Sequence, residues 1–149
     1  MIEYVNVTKQ FGPLTVLDGI NLTIKDGEIT YVIGSSGTGK SVLVKHAVGL
    51  LRPDAGRILI DNIDTTDFNE QQWNQIRMRY ALVFQHPTLF DSMSLVDNVA
   101  LPIRKHQKVS KPAAKKSAIE YLERVGMATK ADLMPSDVGP GERKRVSIA

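Results

Sequence analysis

A glycine-rich run in the first third of the chain limits what this sequence can fold into more than any other feature. Residues 34–41 are GSSGTGKS and match the whole pattern G-x-x-x-x-G-K-[ST]. The run follows the apolar, strand-prone segment 29–33, ITYVI, and precedes segment 41–51, whose apolar residues recur at helical spacing. Strand, glycine loop and helix in this order are the setting in which the pattern binds phosphate. We therefore predict an α/β fold with a phosphate loop, rather than a glycine turn beside an incidental lysine.

Each residue type in this run suits a triphosphate. The glycines lack Cβ, so the backbone can approach phosphate oxygens closely, and successive N–H groups face the anion at the positive end of the helix dipole. Lys40 adds a charge for the β- and γ-phosphates, and the Ser41 hydroxyl can ligate Mg²⁺. The predicted nucleoside triphosphate site comprises Gly34, Ser35, Ser36, Gly37, Thr38, Gly39, Lys40, Ser41 and Val42.

Composition places the chain among ordinary globular proteins. Of its 149 residues, 42% are hydrophobic and 23% charged, and a net charge of +3 does not by itself indicate nucleic acid. The absence of cysteine excludes disulfides and thiolate metal sites, and is compatible with the cytoplasm. No apolar stretch has the length of a membrane span, and the first residues do not resemble a signal peptide. We expect a soluble chain that reaches a membrane only through a partner.

The remaining pattern predicts strands first and helices afterwards. Strands are expected over 2–7, 16–24, 29–33, 57–60 and 80–84. Helices are expected over 69–78, from Ser94 to Pro102, from Ser110 to a Gly126 cap, and after residues 139–141. Proline lacks an N–H group, so Pro102 should stop or kink its helix.

Two further motifs resemble those of the ATP-binding subunits of ABC transporters, and the resemblance covers the whole chain. Gln85, directly after the predicted strand 80–84, matches the family's Q-loop glutamine. Segment 134–146, MPSDVGPGERKRV, lines up with the signature pattern P-x-x-L-S-G-G-Q-x-x-R-V. The resemblance implies one partial ATPase domain, with a RecA-like phosphate-loop core and an antiparallel β subdomain in 1–85 and a helical subdomain in 86–149.

The resemblance also implies roles for single residues and the cofactors ATP and Mg²⁺. Phe11 stands where the family places the aromatic residue that stacks on adenine, and Val16 where a small apolar residue flanks the ring. On its own Phe11 is more simply a core aromatic, but its position before the phosphate loop favours stacking. In the family the Q-loop glutamine contacts Mg²⁺ or attacking water. Lys40 and Gln85 are therefore the expected catalytic residues, and Ser41 and Gln85 the expected magnesium ligands.

The signature loop departs from the family pattern at two positions. Gly139 replaces the family's serine and Pro140 the following glycine, whereas Gly141 and Glu142 fit. The first change removes a hydroxyl that would bond the γ-phosphate of ATP on an opposite subunit. The second fixes φ at about −65° in a loop expected to need the freedom of glycine. We expect this loop to reach a second subunit's nucleotide and to support weakened ATP-driven dimer closure.

Members of this family continue past the signature helix into the Walker B strand, which ends in Asp and Glu, and then a switch histidine. This sequence ends at Ala149, and none of His46, His86 and His106 stands where the switch histidine does. The resemblance thus implies that the C-terminal part of the core is missing, through either a fragment or a truncated gene. We expect the 149-residue chain to bind ATP but to hydrolyse it poorly.

The function implied is that of an ATP-binding subunit, peripheral on the cytoplasmic face of the cell membrane. It would act with an integral membrane permease and a second ATP-binding subunit. Segment 90–104 most resembles the ATPases of MCE- or Mla-type phospholipid transport, although its D-N-V-A-L-P stretch also occurs in amino-acid importers and cell-division-associated ATPases. Two alternatives stay open: a non-hydrolysing nucleotide-binding or regulatory module, and a small-molecule kinase with a phosphate loop.

Nucleic acid is not an expected partner. The basic groups at 104–105, 115–116 and 143–145 are most simply solvated faces, because few aromatic residues accompany them.

Overall fold

A computed structural model describes residues 1–149, which divide into two units, Met1–Leu82 and Val83–Ala149. The first unit contains a four-stranded antiparallel sheet and two helices. Its elements are β1 Ile2–Phe11, β2 Leu14–Ile24, α1 Lys40–Ala47, β3 Ala55–Ile60, β4 Ile63–Asp64 and α2 Glu70–Arg77. The sheet has the order β2-β1-β3-β4, so β1 pairs with both β2 and β3. The predicted α/β class and antiparallel β subdomain are confirmed.

The core of the first unit joins the sheet to α1. Alternate side chains of a strand share one face, and an amphipathic helix covers that face with its apolar residues. Tyr4, Val7 and Ile58 from the sheet are buried together with Leu43 and Ala47 from α1. The helix that follows the glycine loop is therefore fixed to the sheet by its own apolar residues.

The predicted strands over 29–33 and 80–84 are wrong, since neither segment is a strand in the structure. All of the sheet's pairings are among β1 to β4, so neither segment has a partner. Ile29, Tyr31 and Ile33 are 81%, 79% and 90% exposed. Apolar, β-branched composition favours a strand only where a neighbouring strand takes up its N–H and C=O groups.

The second unit is helical. It consists of α3 Leu95–Gln107, α4 Lys111–Arg124, α5 Pro140–Val146 and two short 3₁₀ turns, Ala128–Lys130 and Pro135–Asp137. Ser94 and Ser110 cap α3 and α4 by accepting a hydrogen bond from the N–H three residues later, as their side chains predict. Leu95, Val99 and Leu122 belong to its buried cluster. No helix of either unit combines the length and the apolar character that a bilayer crossing requires.

Helix α3 passes through Pro102 and ends at Gln107, so the predicted stop is wrong. Proline in a helix interior loses one hydrogen bond, here to the Asn98 carbonyl, at a cost of about 3 kcal/mol. Burial of Leu95, Val96 and Val99 in the cluster shared with α4 contributes roughly 1.5–3 kcal/mol for each side chain. The packing of α3 against α4 therefore outweighs the local cost of the proline.

Asn98 fixes the segment that enters α3. Its Oδ1 accepts from the Phe90 N–H at 2.7 Å. Its Nδ2 donates to the carbonyl oxygens of Phe90, Met93 and Ser94 at 3.0–3.1 Å. Because Asn98 is buried, these bonds satisfy an amide that would otherwise be costly to remove from water.

Candidate phosphate-binding site

The glycine run forms a tight loop that leads into α1. Gly37 and Gly39 have φ values of 83° and 86°, in the left-handed region, and Gly39 directly precedes the helix. A Cβ added to Gly39 would lie 2.9 Å from both Val16 Cγ1 and the Val16 carbonyl oxygen. A Cβ added to Gly34 would lie 2.7 Å from Thr38 Oγ1. The backbone conformation and the close contacts therefore both require glycine in this loop.

The beginning of α1 presents backbone donors. No side chain caps this end of the helix, and the Leu43 N–H is the first to bond within it, to the Gly39 carbonyl oxygen at 2.8 Å. The N–H groups of Lys40, Ser41 and Val42 precede this bond and have no intrahelical acceptor. They lie at the positive end of the helix dipole, where an anion is favoured.

Two side chains of the loop bond its own carbonyl groups. Lys40 Nζ donates to the carbonyl oxygens of Gly34, at 2.8 Å, and Ser35. Thr38 Oγ1 donates to the Ser35 carbonyl oxygen at 2.9 Å. The Lys40 ammonium group is thus held over the loop. The sequence pattern assigns this same side chain to the phosphates.

These residues fit the phosphate groups of a nucleotide. The loop combines N–H donors without an intrahelical acceptor, a lysine ammonium and glycines in the left-handed backbone conformation. Segment 34–42 contains no acidic residue that would repel the anion. Ser35, Ser36 and Ser41 are exposed, whereas Val42 packs against the core of the first unit.

Phe11 and Val16 lie on the hairpin that contacts this loop. β1 ends at Phe11, which pairs with Leu14 at the start of β2, and Val16 is the β2 residue packed against Gly39. Phe11 is 46% exposed, with Lys9 Nζ 5.6 Å from its ring centroid. Its ring therefore lies outside the core, at the hairpin end next to the phosphate loop, with area free for stacking.

Two residues that the sequence reasoning missed hold α1. The buried Tyr4 hydroxyl donates to the carbonyl oxygen of Leu43, in the middle of the helix, at 2.9 Å, and burial raises the pKa of Tyr4 to about 12. Just after the last residue of α1, Arg77 of α2 donates through Nε to the Val48 carbonyl oxygen at 2.9 Å and through Nη2 to that of Gly49 at 3.0 Å. Tyr4 is itself a usable signal for the first contact, because the hydroxyl of a buried tyrosine usually finds a hydrogen-bond partner. Nothing local in the sequence indicates the second.

The Tyr4→Phe substitution should lower the free energy of unfolding of the first unit by about 1 kcal/mol, because it removes one buried hydrogen bond without changing packing. Urea unfolding followed by the fluorescence of Trp73, the only tryptophan, measures this loss. Tyr31→Phe is the matched control, since Tyr31 is 79% exposed. Equal midpoints for the two variants would contradict the anchoring role of Tyr4.

Gln85 belongs to the second unit and is exposed, in a segment without helix or strand. The carbonyl oxygen of the preceding residue, Phe84, accepts a hydrogen bond from Lys144 Nζ of α5. Ser41 belongs to the first unit, and the joint role of Ser41 and Gln85 as magnesium ligands stays a prediction. No cluster of three or more histidine, aspartate or glutamate side chains forms a metal site in the structure.

The signature segment forms the start of α5. Gly139 precedes the helix with a φ of −69°, and Pro140 is its first residue, a position that suits proline. Pro140 thus fits the local backbone, and the expected effect of losing glycine here on binding a second subunit's nucleotide stays a prediction. Glu142 Oε1 lies 2.6 Å from Lys130 Nζ, and Oε2 accepts from the Gly139 N–H at 3.1 Å. Lys130 foremost, and then the Gly139 N–H, lower the pKa of Glu142. Gly141 lies in the first turn, with open space around its Cα.

A phosphate loop at the start of α1, on an antiparallel sheet and followed along the chain by a helical unit, defines a nucleotide-binding α/β protein. The family model for the ABC transporter matches residues 17–149, and the chain belongs to this family.

Known proteins of this family are similar over the whole chain. The chain is 42% identical over 149 residues to the methionine import ATP-binding protein MetN of Rhizobium johnstonii, covering 100% of this chain and 41% of that protein. It is 36% identical to the intermembrane phospholipid transport system ATP-binding protein MlaF of Haemophilus influenzae, covering 100% and 56%. The solved dimeric post-hydrolysis state of the ATP-binding cassette MJ0796 bound to ADP and Pi is similar with a TM-score of 0.86 at 33% identity, covering 99% of this chain and 67% of that one. The chain thus spans about half the length of these curated relatives.

Proposed function

We propose that this protein is the ATP-binding subunit of an ABC transporter and couples the binding and hydrolysis of ATP to transport. The observation that carries the proposal is the loop Gly34–Ser41, with its unpaired helix N–H groups and Lys40, in a chain that belongs to this family. The cofactors are ATP and Mg²⁺. The partners are an integral membrane permease and a second ATP-binding subunit, and the location is the cytoplasmic face of the membrane.

Each predicted site residue has a part in this proposal. Phe11 stacks on the base, with Val16 beside it, and the N–H groups at the start of α1 and Lys40 bind the phosphates. Ser41 places its hydroxyl for Mg²⁺, which when bound polarises phosphoryl oxygens as a Lewis acid. Gln85, from the second unit, orients the attacking water or contacts the metal. Gly139 to Glu142 face the nucleotide of the second subunit.

A groove in the second unit supports the permease as a partner. Its volume is about 600 Å³, and its apolar lining includes Leu89, Phe90, Leu101, Ile103 and Tyr121. Residues 88–90 of this lining follow Gln85 closely along the chain, and in the family the Q-loop segment contacts the membrane subunit. We assign this groove to an apolar helix or loop of the permease.

Phospholipid transport of the MCE or Mla type is our proposal for the cargo. Its support is the resemblance of segment 90–104 and the similarity to MlaF. The similarity to MetN favours amino-acid import as the second candidate. Deleting the gene and measuring both methionine uptake and the phospholipid content of the outer surface separates the two: a defect in uptake alone would reject the lipid proposal.

Calorimetry with Mg-ATP and with Mg-tripolyphosphate tests the nucleotide site. Phe11→Ala should weaken ATP binding by roughly 5- to 100-fold, because base–aromatic stacking is worth about 1–3 kcal/mol. The same variant should bind tripolyphosphate as the unchanged protein does, since that ligand has no base. An equal loss for both ligands, or no loss for ATP, would reject adenine stacking on Phe11.

Phosphate release measured on the same samples separates the transporter subunit from its alternatives. Steady release above background supports an ATPase. Binding without release supports a non-hydrolysing module, and transfer of phosphate to an added metabolite would support a kinase.

A further inference from the structure

The junction between α3 and α4 in the second unit is strongly basic. We define the basic corner by its six cations, Arg104, Lys105, Lys108, Lys111, Lys115 and Lys116. Segment 98–119 contains no acidic residue at all. The short loop between the helices, from Lys108 to Ser110, brings the end of one cationic helix and the start of the other together.

Most of this charge is not neutralised. Asp97 is the acidic residue that pairs with these cations, with a carboxylate oxygen 3.6 Å from Lys111 Nζ and another 3.0 Å from Lys115 Nζ. The other four cations form no ion pair and are exposed to solvent. The corner therefore carries an excess of positive charge on a small surface.

The placement of the lysines on α4 has no stabilising role within the helix. Basic residues in the last turn of α3 complement the negative end of its dipole, which is an ordinary arrangement. At the start of α4 the dipole is positive, yet the first turn contains no acid and begins with Lys111. Asp97 offsets part of this local repulsion through Lys111 and Lys115, and an external anion at this end of the helix would offset more of it.

A small cavity of about 250 Å³ opens beside the same helix end, and its lining includes Ser92, Arg104 and Lys111. Asp97 lines it too, and its carboxylate accepts a hydrogen bond from the Ser94 hydroxyl at 3.1 Å. Because this carboxylate repels a phosphate group, the anion-binding surface of the corner is its exposed cations and not this cavity.

We infer that the basic corner binds directly to an anionic phospholipid surface through its exposed cations. Segment 104–116 contains no Phe, Trp or Tyr, so it lacks the stacking platform that single-stranded nucleic acid uses. Exposed lysines at a helix corner suit a surface that offers many phosphates at once. The inference goes beyond the proposed function, which brings the protein to a membrane only through the permease, and it uses none of the nucleotide chemistry.

Vesicle flotation tests this contact. The chain should float with vesicles of phosphatidylcholine mixed with phosphatidylglycerol, but not with phosphatidylcholine alone, and binding should weaken as salt is raised. The variant with Arg104, Lys105, Lys108 and Lys116 all changed to Gln should bind the anionic vesicles roughly 100- to 1000-fold more weakly. The matched control changes Lys25, Lys45, Arg57 and Arg124 to Gln; the first three are exposed cations of the first unit, Arg124 is the last residue of α4, and their loss alters net charge equally. The control should keep most of its affinity.

Three results would overturn the inference. They are no binding to anionic vesicles, an equal loss in both quadruple variants, and tighter binding of an unstructured RNA oligonucleotide with the same dependence on the corner. Calorimetry with Mg-ATP on both variants keeps the question separate from the proposed function. Unchanged nucleotide affinity shows that both variants are folded, and a failure of the unchanged protein to bind nucleotide would reject the nucleotide site but not the membrane contact.

Discussion

Lys40→Ala should reduce the affinity for Mg-ATP by roughly 100-fold or more, the largest effect on binding that we expect from any single side chain. The ammonium group lies over the loop, 2.8 Å from the Gly34 carbonyl oxygen, and in the proposed function it binds the β- and γ-phosphates. A hydrogen bond to a charged group is worth about 1.5–3 kcal/mol, and an ammonium group can make more than one. Isothermal titration calorimetry of the 149-residue chain measures the loss.

Lys45→Ala is the matched control for this experiment. Lys45 is an exposed lysine in the last turn of the same helix, so its removal changes net charge equally without touching the loop. Affinity should then be nearly unchanged. If the two variants bind Mg-ATP equally well, the assignment of the phosphates to this loop is wrong, and the proposed function fails with it.

Gly49→Ala should lower the free energy of unfolding of the first unit by about 2–5 kcal/mol, the largest effect on stability that we expect. Its φ is 66°, and an added Cβ would lie 2.2–2.6 Å from three atoms of the Trp73 ring. The left-handed backbone costs about 1–2 kcal/mol for a residue with Cβ, and overpacking of the buried ring typically adds about 1–3 kcal/mol. Urea unfolding followed by Trp73 fluorescence measures the sum.

Gly27→Ala separates the two contributions. Gly27 has a similar φ of 74°, but nothing lies within 4 Å of an added Cβ, so only the backbone cost should appear. A Trp73→Leu change, which removes the ring, should make a second substitution at Gly49 markedly less damaging than it is in the unchanged protein. Equal losses for Gly49→Ala and Gly27→Ala would show that contact with Trp73 adds nothing.

The phosphate loop could be predicted from the sequence because its geometry is local. Gly37, Gly39 and Lys40 act through backbone angles and one side chain within a few residues, so the pattern alone specifies them. The serine caps of α3 and α4 are local in the same sense. Hairpin and helix positions followed from alternation and helical spacing over short segments.

Features that depend on distant partners could not be predicted. Segment 29–33 has strand composition, but no strand pairs with it, and sequence composition does not report the presence of a partner. A proline inside a helix is locally unfavourable, yet burial of the face that includes Val99 stabilises α3 through Pro102. At Pro140 the resemblance indicated a loop, whereas the residue begins a helix in the structure.

The hydrogen bonds from Arg77 to the carbonyl groups at the end of α1 have a consequence for mutational screens. Arg77 and Trp73 belong to α2, and both touch the residues that end the phosphate-loop helix. In a random mutagenesis screen scored by loss of function, substitutions at these two positions should therefore give the same phenotype as substitutions in the loop itself. A map of sensitive positions drawn without this structure would wrongly extend the ligand's footprint to α2.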